Sequence, residues 1–402
     1  MMKTSRMEKN IKTITKDKDK LGIYIHIPFC EQKCSYCGFL SFPKGEKVRE
    51  DYVAALCCKI KKWAMDVGEK YNVDTVFIGG GTPSLLSEKE ITTLMSTLKN
   101  SFTLEKDCEI TIESNPNSLT MEKLKCYLDL GINRLSMGLQ SMDDDILKTL
   151  GRIHTAKEGK EAFYMARQAG FENINLDLMF AISGQTEEIF KDTLAKVIEM
   201  NPDHISFYSL QIEEGTKFYD DYKNEKYEFI DDNTMNQMYL MASQILEKNG
   251  YEKYEISNAA KNGKTCRHNL KYWSMTPFLG IGLGASGFIE NYRYQEAINL
   301  DDWSGEALDS QSELARVKIA CQEETLEEQM GTYIITAMRR TEGISFKEFR
   351  NLFGREFESV YGQLLDYINA EAKKGNLVIT DDHIRFTDKG MLVSNDILCE
   401  FV

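Results

Sequence analysis

The sequence predicts an α/β fold followed by a smaller α+β domain, and three observations support this. From residue 21, six strand-then-helix units follow one another. Parallel strands need crossover connections, so this alternation is typical of a parallel sheet covered by helices. Polar residues gather at the carboxyl ends of the strands, where open doubly wound sheets and curved barrels both bind ligands. From about residue 320, three helices and a hairpin indicate a winged-helix-like domain.

The apolar spacing places each unit in order. The predicted strands cover residues 21–28, 75–81, 109–116, 134–141, 173–180 and 204–213. The predicted helices between them cover residues 49–67, 88–102, 121–131, 156–170 and 186–200. We divide the chain into a polar tail (1–20), an α/β core (21–215), a linking region (216–310) and a C-terminal winged-helix-like domain (311–402). In the linking region, the glycine-rich segment 278–288 indicates close backbone packing near the mouth of the core.

Composition limits the function classes. The chain has 402 residues and a net charge of -14, which argues against general nucleic-acid binding. The segment 321–402 holds nine Lys/Arg and fifteen Asp/Glu, so a DNA-binding role for the winged-helix-like domain is disfavoured as well. No secretory signal and no apolar run of about 18 residues is present, so we expect a cytoplasmic protein that does not span a membrane. Thiols stay reduced there, so clustered cysteines indicate metal binding or catalysis.

Cys30, Cys34 and Cys37 form such a cluster just after the first strand. A structural zinc site needs four closed ligands, whereas only three cysteines lie together here. Three thiolates with one open position suit an iron–sulfur cluster with a substrate-accessible iron. Spacing alone leaves both readings open.

Two further groups follow later strands. Gly79–Gly81 with Thr82 lets a ligand approach the backbone closely, although such a run also makes an ordinary tight turn. Carboxylate, amide and guanidinium groups lie on strands three to five or just after them, and they suit a nucleoside bearing an amino-acid tail. Each of these groups is, taken singly, more often an ordinary solvated residue.

The segment YIHIPFCEQKCSYCGF resembles the radical S-adenosylmethionine (SAM) signature, specifically that of the coproporphyrinogen dehydrogenase family, and GGGTPS, IESNPN, SMGLQS and LGRIH match its further motifs in order. The resemblance covers most of residues 21–400. It implies a partial (β/α)6 barrel in which Cys30, Cys34 and Cys37 hold a [4Fe–4S] cluster and SAM chelates the fourth iron. The SAM positions that it implies are Tyr24, Gly80, Gly81, Thr82, Glu113, Gln140, Arg152 and Asp177.

Two branches of that family differ in ways that the sequence shows. The oxygen-independent coproporphyrinogen III dehydrogenases carry a further cysteine where this chain has Phe39, and a longer amino-terminal extension. The pattern HNxxYW at residues 268–273 instead resembles the heme chaperone branch, where it is associated with heme. The imidazole of His268 can ligate heme iron, and Tyr272 and Trp273 offer flat apolar surfaces. The alternative is a core histidine beside packed aromatics.

The leading hypothesis is therefore a heme chaperone on a radical SAM scaffold that delivers heme to acceptor hemoproteins, such as respiratory enzymes at the membrane. We expect it to lack coproporphyrinogen dehydrogenase activity. The alternative is a radical SAM enzyme that abstracts hydrogen from a tetrapyrrole side chain, and a third reading is a partner-binding scaffold with a vestigial cluster. Exposure of the cluster could make formation of a homodimer cluster-dependent.

Overall fold

A computed structural model describes residues 18–43, 45–309 and 320–401, with side chains omitted at 320–323. Residues 1–17 of the predicted tail lie outside this part. The centre of the fold is a run of parallel strands in the order β9-β1-β2-β3-β4-β5-β6. These strands are β1 (Asp19–Ile27), β2 (Tyr71–Gly80), β3 (Leu104–Ser114), β4 (Arg134–Gln140), β5 (Ile174–Phe180), β6 (His204–Ser209) and β9 (Phe278–Ile281). The predicted α/β class is confirmed.

Helices connect the first six strands. They are α1 (Glu46–Val67), α2 (Glu88–Ser101), α3 (Met121–Asp129), α4 (Asp144–Thr149), α5 (Ala156–Ala169) and α6 (Glu187–Met200). The sequence sets their starts: Ser87 and Glu90 form a capping box at α2, because each side chain bonds the other residue's backbone N–H. Thr155 and Glu158 do the same at α5. These caps satisfy N–H groups that lack partners in the first helical turn.

Along each strand, side chains alternate between the two faces of the sheet. On β1, Ile23 and Ile25 are fully buried and join the core that includes Leu56 and Ile60 of α1. Neighbouring residues of a strand point to opposite faces, so Tyr24 and His26 point to the concave side. Apolar contacts therefore hold the helices against the outer face, while the inner face carries polar side chains.

The predicted linking region contributes to the same sheet at both edges. β8 (Asn258–Ala260) and β7 (Glu252–Glu255) extend it antiparallel beyond β6. β10 (Ser286–Ile289), β11 (Tyr292–Gln295) and β12 (Ala320–Glu323) extend it beyond β9. The helices of this region are α7 (Lys217–Lys223), α8 (Asp232–Lys248), α9 (Arg267–Trp273) and α10 (Leu300–Leu308).

The glycine-rich segment is closely packed, as the sequence predicts. A Cβ added to Gly280 would lie 2.0 Å from the Ser286 carbonyl oxygen, and one at Gly282 would lie 2.7 Å from that of His26. The segment also supplies β9, a seventh parallel strand beside β1 that the sequence reading did not include.

The C-terminal part combines helices with a small antiparallel sheet, in the order β13-β15-β14. Its elements are α11 (Leu326–Ala337), β13 (Ile344–Ser345), α12 (Phe346–Phe353), α13 (Phe357–Tyr361), α14 (Leu365–Lys373), β14 (Leu377–Ile379), β15 (His383–Phe386), α15 (Asp388–Leu392) and α16 (Ser394–Leu398). It joins the larger sheet through backbone bonds from Ile256 N–H to the Arg339 carbonyl and from Thr341 N–H to the Tyr254 carbonyl. Among the described residues, no helix combines the length and apolar character that crossing a membrane requires.

Candidate cofactor site

The three clustered cysteines lie on one loop, residues 28–43, which leaves the carboxyl end of β1. Cys30, Cys34 and Cys37 are free thiols and partly exposed. Burial raises the pKa of the Cys37 thiol, and negative charge on Cys34 and Cys30 adds to that rise. The three sulfurs are thus close enough to affect one another electrostatically.

Two polar side chains from other parts of the chain reach this loop: Thr82 follows β2, and Arg152 lies between α4 and α5. The Thr82 hydroxyl lies 3.6 Å from the Cys30 sulfur, and Arg152 Nη1 lies 3.5 Å from the Cys34 sulfur. Backbone bonds fix the loop between them, from Ser35 N–H to the Leu150 carbonyl at 3.1 Å and from Phe218 N–H to the Ser35 carbonyl at 2.9 Å. A positive charge and a hydroxyl donor beside sulfur stabilise the thiolate form that a metal needs.

Three thiols on one loop are a donor set that fits a [4Fe–4S] cluster. In the described ranges, no three His, Cys, Asp or Glu side chains are gathered as they would be around one metal ion. The three thiols are partly exposed, and backbone hydrogen bonds anchor the loop that carries them.

The glycine turn after β2 lies against this loop. Gly80 has φ of 113° and donates its N–H to a Glu113 carboxylate oxygen at 2.9 Å. A Cβ added to Gly81 would lie 3.0 Å from the Cys30 sulfur and 2.6 Å from the Phe29 carbonyl oxygen. The backbone of β2 can therefore come close to the cysteine loop only because these positions are glycine.

Two carboxylates on the concave face lie in an environment that opposes their charge. Burial raises the pKa of Glu113 to about 8, and the negative charge of Asp177 adds to the rise. Burial also raises the pKa of Asp177, although Asn175 donates a hydrogen bond to its carboxylate at 2.7 Å. Such carboxylates favour a ligand that brings positive charge or hydroxyl donors.

Arg152 hydrogen-bonds to residues of β4 and of the segment after β3, and one of its N–H groups has no partner within the described residues. Its Nη2 donates to Asn115 Oδ1 at 2.7 Å and to the Gly138 carbonyl at 2.6 Å. Its buried Nε has no hydrogen-bond partner within the described residues. Asn115 also donates to the Thr82 hydroxyl at 3.0 Å, which ties the arginine to the glycine turn. A ligand carboxylate would satisfy the remaining N–H.

Gln140 ends β4 in a left-handed backbone conformation with φ of 67°, which is uncommon for a residue other than glycine. Its side-chain oxygen accepts a hydrogen bond from the Tyr208 hydroxyl at 3.0 Å. Such local strain is often found at functional sites.

On β1, the Tyr24 hydroxyl lies 2.9 Å from His26 Nδ1, and the other ring nitrogen of His26 lies 2.9 Å from the Leu40 carbonyl oxygen.

The structure thus brings the predicted cluster and SAM residues to one end of the concave face. A cradle of glycine backbone, two carboxylates and a guanidinium with an unsatisfied N–H fits a SAM molecule. The sequence reading did not assign Asn115, Asn175 or Tyr208, which hold Arg152, Asp177 and Gln140 respectively. Asn115 lies within the quoted IESNPN motif and could have been found there, whereas Tyr208 carries no sequence signal.

The predicted heme residues lie elsewhere. His268 is fully buried on α9, with Nδ1 2.8 Å from the Thr75 hydroxyl and Nε2 3.0 Å from the Tyr272 hydroxyl. Burial lowers the pKa of His268 to about 3, and the nearby Lys271 lowers it further, so the ring is neutral. Trp273 ends the helix and is partly exposed. In this conformation both ring nitrogens of His268 are already engaged, so neither is available to a metal.

Comparisons with known proteins identify the family. Residues 24–197 match the family model described as the radical SAM superfamily, and residues 325–393 match the HemN C-terminal domain. The protein named heme chaperone HemW from Bacillus subtilis is 34% identical, over 94% of this chain and 98% of the relative. The protein of that name from Escherichia coli is 40% identical over 66% of this chain and 70% of the relative.

Among solved structures, coproporphyrinogen III oxidase (HemN) from Escherichia coli, described as a radical SAM enzyme, gives a TM-score of 0.82 at 23% identity. That match covers 96% of this chain and 90% of the solved chain, and it supports the predicted partial barrel with its smaller C-terminal domain. Two family models match this chain, and a HemW protein is 34% identical to it over nearly the full length of both. The chain therefore belongs to the HemW family of the radical SAM superfamily.

Proposed function

We propose that this protein is a heme chaperone that binds heme, holds a SAM-ligated [4Fe–4S] cluster and delivers heme to acceptor hemoproteins. The observation that carries the proposal is the 34% identity, across 98% of the relative's length, to a protein named heme chaperone HemW. We place the protein in the cytoplasm, where its reduced cysteines would persist. Acceptors of this kind include respiratory enzymes at the membrane.

In this proposal Cys30, Cys34 and Cys37 hold three irons, and the fourth iron takes SAM. The bound cluster and SAM together would supply one-electron chemistry. The chain's own contribution is to place the Thr82 hydroxyl beside the Cys30 sulfur and the Arg152 guanidinium beside the Cys34 sulfur, as donors towards cluster-bound sulfur. Cluster exposure at the mouth of the barrel also leaves room for a second copy of the chain.

The SAM site would use polar groups on the concave face, of which the Arg152 Nε has no partner within the described residues. The free Nε of Arg152 suits the amino-acid carboxylate, and Glu113 suits the ammonium group because burial and the charge of Asp177 raise its pKa, so that an added positive charge would be favourable. Asp177 and Gln140 offer acceptors to ribose hydroxyls, and Gly80 and Gly81 allow close approach to the backbone. Tyr24 lines the same face.

For heme, we retain His268, Tyr272 and Trp273 as the candidate residues. His268 could coordinate heme iron only after its ring gives up the hydrogen bonds to Thr75 and Tyr272.

Heme and cluster binding can be tested on the anaerobically reconstituted full chain. We expect heme to bind stoichiometrically, with a heme absorbance that is lost in His268→Ala and kept in His383→Ala, a partly exposed histidine of the C-terminal part. We expect Cys34→Ala to lose the brown cluster absorbance, whereas Cys58→Ala on α1 keeps it. Full iron retention in Cys34→Ala would mean that the cluster ligands are assigned incorrectly.

The alternative function is that of an oxygen-independent coproporphyrinogen III dehydrogenase, which the shared fold makes worth testing. The reconstituted protein is incubated with coproporphyrinogen, SAM and a reductant. We expect no vinyl product, because Phe39 stands where those enzymes carry a further cysteine. Formation of vinyl product would reject the chaperone proposal in favour of the enzyme.

A further inference from the structure

Three neighbouring strands place polar side chains beside Asp177 inside the barrel. In the parallel ladder, Asn175 of β5 lies opposite Ser136 of β4 and His204 of β6. Residues two apart on a strand point to the same face, so Asn175 and Asp177 share the concave side. Every other residue of β5 is buried, whereas Asp177 is partly exposed. A ligand in the barrel therefore meets Asp177, and Asn175 lies behind it.

The buried side-chain amide of Asn175 has a partner for each of its hydrogen-bonding sites. Its Nδ2 donates to the Asp177 carboxylate at 2.7 Å and to the Ser136 hydroxyl at 2.8 Å. Its Oδ1 accepts from the Ser206 hydroxyl at 3.1 Å and lies 2.6 Å from Nδ1 of His204. A carboxylate can only accept, so the amide nitrogen must face Asp177 and the amide oxygen must face His204.

This orientation of the amide also fixes the tautomer of His204. Because Asn175 Oδ1 is an acceptor, Nδ1 of the imidazole carries the hydrogen and Nε2 is left as an acceptor. The Tyr254 hydroxyl lies 2.8 Å from Nε2 and donates to it, while its oxygen accepts the Cys266 N–H at 3.3 Å. Burial and the charge of Arg134 lower the pKa of His204 well below its usual range, so the ring is neutral.

Tyr254 reaches the barrel from an irregular point of β7. The pairing of β7 with β8 shifts between Lys253 and Glu255, so Tyr254 is the extra residue of a β-bulge. Bulges redirect side chains and are frequent beside active sites. The Tyr254 ring meets the His204 ring edge to face, with centroids 5.6 Å apart. The Tyr254 carbonyl accepts the Thr341 N–H at 3.1 Å, which fastens the bulge to the C-terminal part.

We propose that His204 and Tyr254 are positioning residues for the SAM ribose, and that they act through Asn175 on Asp177. The inference rests on the proposed function, in which Asp177 accepts from ribose hydroxyls. The donors run in one direction, from the Tyr254 hydroxyl through the imidazole and the amide to the carboxylate. The carboxylate is therefore held in one orientation before SAM arrives, and less conformational freedom is lost when SAM binds.

The test compares two ligands on the cluster-reconstituted full chain: SAM, and an analogue of SAM whose ribose lacks the 2′ and 3′ hydroxyls. Equilibrium dialysis gives both dissociation constants, and their ratio measures recognition of the ribose. We expect the wild type to bind SAM at least tenfold more tightly than the analogue, which is about the effect of one hydrogen bond to a charged group. In Asn175→Ala we expect the ratio to fall to about two, because only SAM binding is weakened. A purely structural loss would weaken both ligands alike and leave the ratio unchanged.

A matched pair of variants at His204 tests the imidazole donor itself. His204→Asn keeps an amide N–H near the position of Nδ1, whereas His204→Leu has no donor. We expect His204→Leu to lose most of the ratio and His204→Asn to retain at least half of it. Asn258→Ala on β8 is the control for loss of a buried amide, because Asn258 donates to Glu255 and lies outside this chain of donors. It should lower the melting temperature and keep the wild-type ratio.

The outcomes separate the inference from the proposed function. An unchanged ratio in Asn175→Ala, or equal ratios in the two His204 variants, overturns the inference while leaving SAM binding intact. A wild type that binds SAM and the analogue equally well overturns it too, because Asp177 then does not contact the ribose. If the wild type binds no SAM at all, the proposed function fails and the inference fails with it.

Discussion

Replacing Glu113 with glutamine should stabilise the SAM-free protein and at the same time weaken SAM binding. Burial, with the charge of Asp177 adding to it, raises the pKa of Glu113 from 4.5 to about 8. The folded state therefore binds a proton more tightly than the unfolded state, and folding stability falls as pH rises from about 4.5 towards 8. At pH 7 the penalty is about 3 kcal/mol, from roughly 2.5 pH units at about 1.4 kcal/mol each.

Glutamine removes this penalty because it carries no charge, and its amide oxygen can still accept the Gly80 N–H. We expect the melting temperature of Glu113→Gln to exceed that of the wild type by roughly 5 °C at pH 7, and the difference to vanish near pH 5. A suitable control is Glu109→Gln, whose carboxylate accepts two backbone N–H groups from α9. That variant should be less stable than the wild type.

The same variant should bind SAM at least tenfold more weakly, because a hydrogen bond to a charged group contributes about 1.5–3 kcal/mol. Thermal unfolding between pH 5 and pH 8.5 and a SAM titration measure the two effects. A stability difference independent of pH would mean that Glu113 is ionised and satisfied without a ligand. Undiminished SAM affinity would mean that the carboxylate does not contact SAM.

Two further predictions concern packing. Lys59 and Glu296 form an ion pair at 2.9 Å, with side chains 2% and 0% exposed. Lys59→Met should therefore lower the free energy of unfolding by about 3–5 kcal/mol, and adding Glu296→Gln should recover most of this loss. Unchanged thermal unfolding of Lys59→Met would refute the prediction. Gly80→Ala should lower both the melting temperature and the SAM affinity, because φ is 113° and the new Cβ would lie 2.5 Å from the His26 ring. At Gly184, φ is 81° but the space around a new Cβ is open. Gly184→Ala should therefore lower the free energy of unfolding by only about 1 kcal/mol and leave SAM binding unchanged. Equal losses in both glycine variants would show that contact with His26 is unimportant.

Local patterns were enough to predict the central fold. Each of the six strand-then-helix units carries its own signal, such as the capping pair Ser87 and Glu90 before α2, and the predicted ranges agree closely with the observed ones. The seventh parallel strand was not predicted, because Phe278–Ile281 is short and glycine-rich. Its pairing with β1, far away in the chain, gives it most of its register as a parallel strand.

The candidate cofactor residues divide in the same way into those with a local signal and those without one. Candidate residues at strand ends are marked by position and by motif, so Cys30 and Glu113 could be singled out from the sequence. The location of His268 could not, because nothing local to residues 266–273 says at which end of the barrel a short helix will pack. That choice depends on Glu109 and Asp74, whose bonds to the helix span a long stretch of chain.

The pairing of β1 with β9 has a consequence for synthesis on the ribosome. β1 leads directly into the cysteine loop, yet one of its two neighbours, Phe278–Ile281, follows about 250 residues later. At about 5–20 residues per second, the first strand would wait roughly 10–50 s for this partner. The cysteines therefore leave the ribosome long before β9, the second neighbour of β1, has been synthesised.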